Sequence, residues 1–221
     1  MKISNTLNAS LTYKCNHKIR HVLLLPGQQV TFGRDNQNDV ILALFPLNDM
    51  IFQYATADIS RQHFMITRTK EGYTIQDTGS TNGTSLDCIA LLHKKEPLRD
   101  GQTIDIGGVL DLKIKEVFNG LILQRMTNTP QESYLLFENE ITLGSSPRDT
   151  LWLEESSVMP RHASIKYSEN RYTLSCGAQD RLVLLGDSPL EWGKEMALKS
   201  EEHILVGDVM ILFKTALDRE P

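Results

Sequence analysis

The residues best able to do chemistry sit in two short stretches. Ile75 to Thr84 reads IQDTGSTNGT: a carboxylate, Asp77, followed by hydroxyls and an Asn-Gly pair. Ser60-Arg61-Gln62-His63 places a hydroxyl three residues before an imidazole, and upstream Gly33-Arg34 closes an apolar run. Two kinds of chemistry fit. One is acid–base or nucleophilic work by Asp77, or by Ser60 with His63. The other is the holding of an anion by Arg34, Arg61 and the hydroxyls, since a guanidinium offers a planar fork of N–H donors to phosphate oxygens.

The catalytic reading fails on its partners. Asp77-Thr78-Gly79-Ser80 is the signature triplet of an aspartic protease, whose two carboxylates share one proton because both cannot ionise at that distance. A second triplet is needed, and the nearest candidate, Gly186-Asp187-Ser188-Pro189, has proline where glycine must be. The protease stays as a remote alternative. Ser60 and His63 have neither an orienting acid in a recognisable motif nor a nucleophile elbow. No glycine loop of the nucleotide-binding kinds is present, because Gly107-Gly108 lacks the rest of either pattern. Asp77 reads instead as a turn residue ending a strand, where a short carboxylate bonds nearby amides. The expectation is a protein that is not an enzyme and needs no cofactor.

The elements that must position these residues are strands. Short apolar runs bounded by turn residues recur along the chain: HVLLL before PGQQ, VTFG before RDNQND, FMIT before RTKEG, YTIQ before DTGSTNG, then TIDIGG and LDLKIKEVF. This spacing predicts an all-β fold of sandwich type. After Asn119-Gly120 the order restarts in degenerate form. Phe32-Gly33-Arg34 answers to Leu143-Gly144-Ser145, Ser60-Arg61-Gln62-His63 to Met159-Pro160-Arg161-His162, and Ile104-Asp105-Ile106-Gly107 to Ile204-Leu205-Val206-Gly207. Two tandem β-sandwich domains follow, residues 1–118 and 119–221, each of ordinary domain size.

In order along the first repeat stand Gly33-Arg34, Ser60-Arg61-Gln62-His63, Ser80-Thr81-Asn82-Gly83-Thr84 and Asp100-Gly101-Gln102-Thr103-Ile104. This ordered set resembles the forkhead-associated (FHA) domain, a phosphothreonine-peptide recognition module, over about residues 10–117 with a core at 30–108. The resemblance implies an eleven-stranded sandwich with these residues on loops at one end. Arg34, Ser60, Arg61, Thr81 and Asn82 would bind the phosphopeptide, while Gly33, His63 and Gly83 would support the site. Taken singly, Arg34 reads as a solvated cation and Asn82-Gly83 as a hairpin turn; the joint order carries the reading. The partner implied is a phosphothreonine-containing protein, a Ser/Thr kinase or its substrate, met by a non-enzymatic adaptor.

Composition agrees. Of 221 residues, 40% are hydrophobic and 23% charged, with a net charge of -5; a nucleic-acid partner would call for a basic excess. No apolar run approaches the ~20 residues of a membrane span. MKISNTLNAS does not read as a leader, and Cys15, Cys88 and Cys176, far apart and odd in number, read as reduced thiols of a cytoplasmic protein. Two departures from the family stand out. Gly33 to His63 is 30 residues where Gly144 to His162 is 18, and the excess falls in the greasy segment 43–55, expected to be ordered and packed. In the second domain Ser145 and Met159 replace Arg34 and Ser60, so that domain is expected to keep the fold and lose the ligands. The alternative function is a structural assembly subunit making phospho-independent contacts through tandem FHA folds.

Overall fold

The computed structural model describes residues 7–92, 94–126 and 132–215; the first six residues, on which part of the leader reading falls, lie outside them. The described residues are nearly all in strands, turns and loops, with one short helix. The strands are β1 (Ala9–Cys15), β2 (Lys18–Pro26), β3 (Gln29–Gly33), β4 (Val40–Ile41), β5 (Phe64–Thr69), β6 (Gly72–Asp77), β7 (Thr84–Leu86), β8 (Ile89–Ala90), β9 (Lys95–Pro97), β10 (Thr103–Ile106) and β11 (Leu110–Val117). They continue as β12 (Gly120–Arg125), β13 (Glu132–Phe137), β14 (Glu140–Gly144), β15 (Leu151–Trp152), β16 (Ala163–Ser168), β17 (Arg171–Cys176), β18 (Val183–Leu185), β19 (Ser188–Pro189), β20 (Glu195–Ala197), β21 (Glu202–Val206) and β22 (Val209–Thr215). The helix α1 (Met50–Ala57) lies between β4 and β5.

The chain divides into two compact units that interleave in sequence. Among the described residues, one comprises Gly27–Glu116 and Leu121–Glu132; the other takes 7–26, Val117–Gly120 and 133–215. Unit 1 has a sheet in the order β12–β11–β10–β7–β8 and a second in the order β4–β3–β5–β6–β9. Unit 2 has β19–β18–β21–β22–β1–β2–β13 and β15–β14–β16–β17–β20. In both units an antiparallel sheet carries one short parallel edge, β4 on β3 and β15 on β14, so the repeat read in the sequence is also a repeat in topology.

Alternation of apolar and polar side chains sets the core. In β11, Leu110, Leu112 and Ile114 are buried while their neighbours are not, as expected of a half-buried strand. Unit 1 is centred on Phe32 and Phe64, whose rings stack 4.5 Å apart. In unit 2 Tyr172 meets Phe213 edge-on at 5.3 Å.

The expected division at 118/119 does not coincide with the compact units. Residues 117–120 form a tight turn, with Asn119 at φ 59, and β11 and β12 on its two sides are sheet neighbours. Asn-Gly between apolar runs is a strong hairpin signal, because both residues tolerate positive φ; here that preference prevails over the reading of Asn119-Gly120 as a linker. The N-terminal β1–β2 hairpin belongs to unit 2. Ala9, Leu11 and Tyr13 pair with Thr215, Phe213 and Ile211 of β22, and all three are buried.

A fragment 119–221 therefore lacks a strand that covers Phe213. At ~1.5–3 kcal/mol per large buried side chain, losing Leu11 and Tyr13 removes ~3–6 kcal/mol, a large part of the ~5–15 kcal/mol that holds a whole domain. The fragment is expected to show no cooperative thermal transition, and fusing residues 7–26 back to it is expected to restore one. A cooperative melt of the bare fragment would contradict the interleaved assignment.

Candidate functional site

The sequence-predicted residues come together on three loops of unit 1. The first leaves β3 at Gly33, the second runs from α1 into β5, and the third joins β6 to β7. Gly33 is required by close approach, since a Cβ there would collide with the Arg61 carbonyl. Two main-chain bonds tie the first loop to the second: Arg34 N–H donates to the Ser60 carbonyl at 3.1 Å, and Asp35 N–H to that of Arg61 at 3.2 Å. Asn38, buried, adds its side-chain amide to the carbonyls of Asp35 (2.8 Å) and Arg61 (2.6 Å). The sequence reading missed Asn38, because in RDNQND it looks like one more polar turn residue.

His63 ties the second loop to the third. The Ser60 amide donates to its Nδ1 at 2.9 Å, and its Nε2 meets the Gly83 carbonyl at 3.0 Å. Nδ1 must accept and Nε2 must donate, so the ring is the neutral Nε2–H tautomer. The Gly83 carbonyl also accepts from Gly107 N–H at 3.0 Å. Gly107, at φ +62, leaves room for the Asp58 carbonyl, which a Cβ would meet at 3.0 Å. Gly107 thus supports the site, a role that a search for nucleotide-binding glycine loops overlooks.

Asp77 is buried and fully engaged. Its carboxylate accepts from the amides of Gly79 (2.8 Å) and Ser80 (2.9 Å) and from the hydroxyls of Ser80 (2.5 Å) and Thr84 (2.6 Å). Burial pushes its pKa up, but the bonds from Ser80, Thr84 and Gly79 outweigh that and hold it below the ordinary carboxylate value. An anion satisfied in this way shapes its loop, as the turn reading expects.

The five expected binding residues present a graded surface. Ser60 is half-buried and its Oγ accepts from the Thr81 amide at 2.9 Å, with the Thr81 hydroxyl 3.4 Å away. The Asn82 amide nitrogen donates to the Asp58 carbonyl (3.1 Å) and carboxylate (3.2 Å), leaving its own oxygen available. Arg34 and Arg61 are exposed. Among the described residues neither guanidinium has a hydrogen-bond or ion-pair partner. Two unpaired cations beside an amide, a hydroxyl and a carboxamide make a surface suited to an anion joined to a polypeptide.

Unit 2 keeps the scaffold of this arrangement with other side chains. The Met159 amide donates to His162 Nδ1 at 3.0 Å, and His162 Nε2 meets the Leu182 carbonyl at 3.2 Å. Ser145 N–H donates to the Met159 carbonyl at 3.2 Å, as Arg34 does to Ser60. Met159 and Leu182 are exposed, so the equivalent loops show thioether and alkyl groups where unit 1 shows hydroxyl and glycine.

The insertion 43–55 is ordered but only partly packed. Asp49 caps α1 by accepting from the Ile51 amide at 2.8 Å. Of the seven large apolar side chains expected to pack, only Leu44 is buried. Phe45 and Phe52 are half-buried, and Leu47, Met50, Ile51 and Tyr54 are exposed. An eight-residue helix is too short for the periodicity by which longer helices are recognised.

Residues 30–107 match the family model of the FHA domain. Several solved structures are similar. The second FHA domain of a Mycobacterium tuberculosis ABC transporter is 28% identical over 48% of this chain and 80% of its own, at a TM-score of 0.34. The FHA domain of Chlamydia trachomatis CT664 protein is 25% identical over 45% and 89%, at 0.30. The N-terminal FHA domain of S. cerevisiae Rad53p, solved with a phosphothreonine peptide, is 19% identical over 34% and 66%, at 0.31. A comparison with curated proteins finds no match.

Burial lowers the pKa of His63, and of His162, below the 6.5 of a free imidazole, against the pull of the carbonyl each ring bonds. The unfolded chain takes up these protons near 6.5 and the folded rings only at lower pH. Stability is therefore full above 6.5 and declines as pH falls from there towards the folded values. NMR titration is expected to place both midpoints below 6.5, with thermal stability falling over the same interval. A His63 midpoint at or above 6.5 would contradict the accepting Nδ1.

Proposed function

We propose that this chain, whose residues 30–107 match the family model of the FHA domain, is a phosphothreonine-binding adaptor whose ligand is held by Arg34, Ser60, Arg61, Thr81 and Asn82. The observation that carries the reading is the pair of unpaired guanidinium groups, Arg34 and Arg61, held beside Ser60 and Asn82 on loops clamped by one imidazole. A phosphate brings ~-1.5 to -2 charges and acceptor oxygens, which match the Arg34 fork and the Ser60 and Thr81 hydroxyls. The Asn82 carboxamide oxygen is placed to accept from a peptide amide, as a strand neighbour would. Gly33, His63 and Gly83 act indirectly, by fixing where those groups stand.

The partner is a phosphothreonine-containing protein, a Ser/Thr kinase or one of its substrates, and the setting is cytoplasmic. Among the described residues no helix is long and apolar enough to cross a membrane. Unit 2 contributes protein contact without phosphate recognition: Met159 donates no side-chain hydrogen bond, Pro160 has no amide proton, and Ser145 carries no charge. A second reading, phospho-independent assembly through tandem folds, draws on the exposed Met159 and Leu182.

Hydrogen bonds to charged groups are worth ~1.5–3 kcal/mol, so Arg34→Ala is expected to weaken a phosphothreonine peptide about tenfold or more. Calorimetric titration of wild type and variant with that peptide, its phosphoserine form and its unphosphorylated form measures this. Equal affinities for the two proteins, or for phosphorylated and plain peptide, would overturn the site.

Asp58 also presents a carboxylate next to Asn82, two residues before Ser60. It is expected to favour Lys or Arg a few positions after the phosphothreonine and to repel Asp and Glu. A phosphopeptide library enriched in acids at that position would refute this.

A further inference from the structure

The segment that begins with the insertion 43–55 and runs on to Ile59 is held at both ends and shows apolar side chains outward. At its start, the buried Arg125 on β12 donates to the Ala43 carbonyl, and its guanidinium lies 5.3 Å from the centre of the Phe45 ring. Leu44 N–H donates to Thr56 Oγ1 at 2.9 Å, fastening the incoming chain to the last turn of α1. At its end Ile59 is buried. Between these anchors the helix has no buried residue. Leu47, Met50, Ile51 and Tyr54 are 56%, 63%, 74% and 71% exposed. Leu47 precedes the helix; within it Tyr54 lies four and three residues beyond Met50 and Ile51, which puts these three on one side. A helix built for the stability of its own unit would turn that stripe inward; a fixed stripe facing water marks a contact surface.

We propose that this stripe extends the phosphothreonine site, taking apolar side chains of the same phosphorylated partner beyond the residues held by the loops. The proposal rests on the phosphothreonine reading and names a further contact for it. Three observations choose this occupant. First, the helix runs directly into the site: α1 ends at Ala57, Asp58 accepts from Asn82 through both its carbonyl and its carboxylate, and Ser60 follows. Second, the insertion occurs only in the repeat that keeps the binding residues, since Gly33 to His63 is 30 residues and Gly144 to His162 is 18. Third, α1 reads MIFQYATA, without a single charge. A lipid surface would call for Lys or Arg on the polar face, whereas an apolar peptide segment needs none.

Chain geometry gives the reach. From Tyr54 to Ala57 the helix rises about 4.5 Å, and three further residues span at most about 11 Å. An extended peptide, at ~3.3 Å per residue, covers that in about five residues. The apolar contact of Tyr54 therefore falls within about five residues of the phosphothreonine.

The test is a 20-residue peptide library with a fixed central phosphothreonine and random flanks, screened on the whole chain and on the triple variant Met50→Gln, Ile51→Gln, Tyr54→Gln. Those three side chains are exposed, so the fold is kept. Wild type is expected to enrich Leu, Ile, Met or Phe up to about five residues from the phosphothreonine. The variant is expected to lose that enrichment, to bind the best long peptide at least tenfold more weakly, and to bind a seven-residue phosphothreonine peptide as wild type does. Phosphate-dependent binding without distal apolar enrichment, or with the same enrichment in the variant, overturns the proposal and leaves the phosphothreonine site standing. No phosphate-dependent retention overturns both. Dimerisation or sedimentation with anionic vesicles that the triple variant abolishes gives the stripe to a second copy or to lipid, and also overturns it.

Discussion

One imidazole joins two of the three loops, and main-chain bonds tie the third to them. His63 is fully buried, accepts from the Ser60 amide and donates to the Gly83 carbonyl. Neither group has a strand partner that would do the same, because both lie where the chain leaves its sheet. The ring accepts from the Ser60 amide and shares the Gly83 carbonyl with the Gly107 amide, and so fixes the distance between their loops. The Ser60 hydroxyl can then accept from the Thr81 amide, and Asn82 can reach Asp58. Ser60, Thr81 and Asn82 thus stand on backbone that this ring has placed.

Unit 2 separates that scaffold from the chemistry it displays. His162 makes the same two bonds, from Met159 and to Leu182. Asp149 answers to Asn38: buried, it accepts from the Arg161 amide at 3.1 Å, where Asn38 donates to the Arg61 carbonyl. The loop path can thus be held from either side of the peptide bond. The side chains at these positions differ while the clamp stays: Met159 gives up the bond that the Ser60 hydroxyl accepts from the Thr81 amide, and Ser145 stands where Arg34 shows its exposed guanidinium.

What was legible in the sequence follows from what each signal depends on. Strand alternation is local, so VTFG, FMIT and YTIQ predict their strands without reference to anything distant. The ordered loop residues survive as motifs because each needs a special side chain at a fixed place. Asn38 and Gly107 were illegible as parts of the site because their roles consist of distant partners, the Arg61 carbonyl in one case and the Asp58 and Gly83 carbonyls in the other. Helix α1 escaped because eight residues give barely two turns of pattern, and because its apolar stripe faces water rather than a core. Asn119-Gly120 carried a correct turn signal whose meaning, hairpin or linker, depends on where the next strand pairs.

The interleaving of the two units also sets an order of events during synthesis. Unit 1 has all its strands once the chain has passed Arg125. The hairpin of β1 and β2 emerges first, yet its partner β22 ends at Thr215, about 190 residues later. At ~5–20 residues per second on the ribosome, Leu11 and Tyr13 wait ~10–40 s without the neighbour that covers them. The first-made strands of unit 2 are among the last to reach their place, and their apolar edge is offered throughout that interval to whatever else binds unfinished strands.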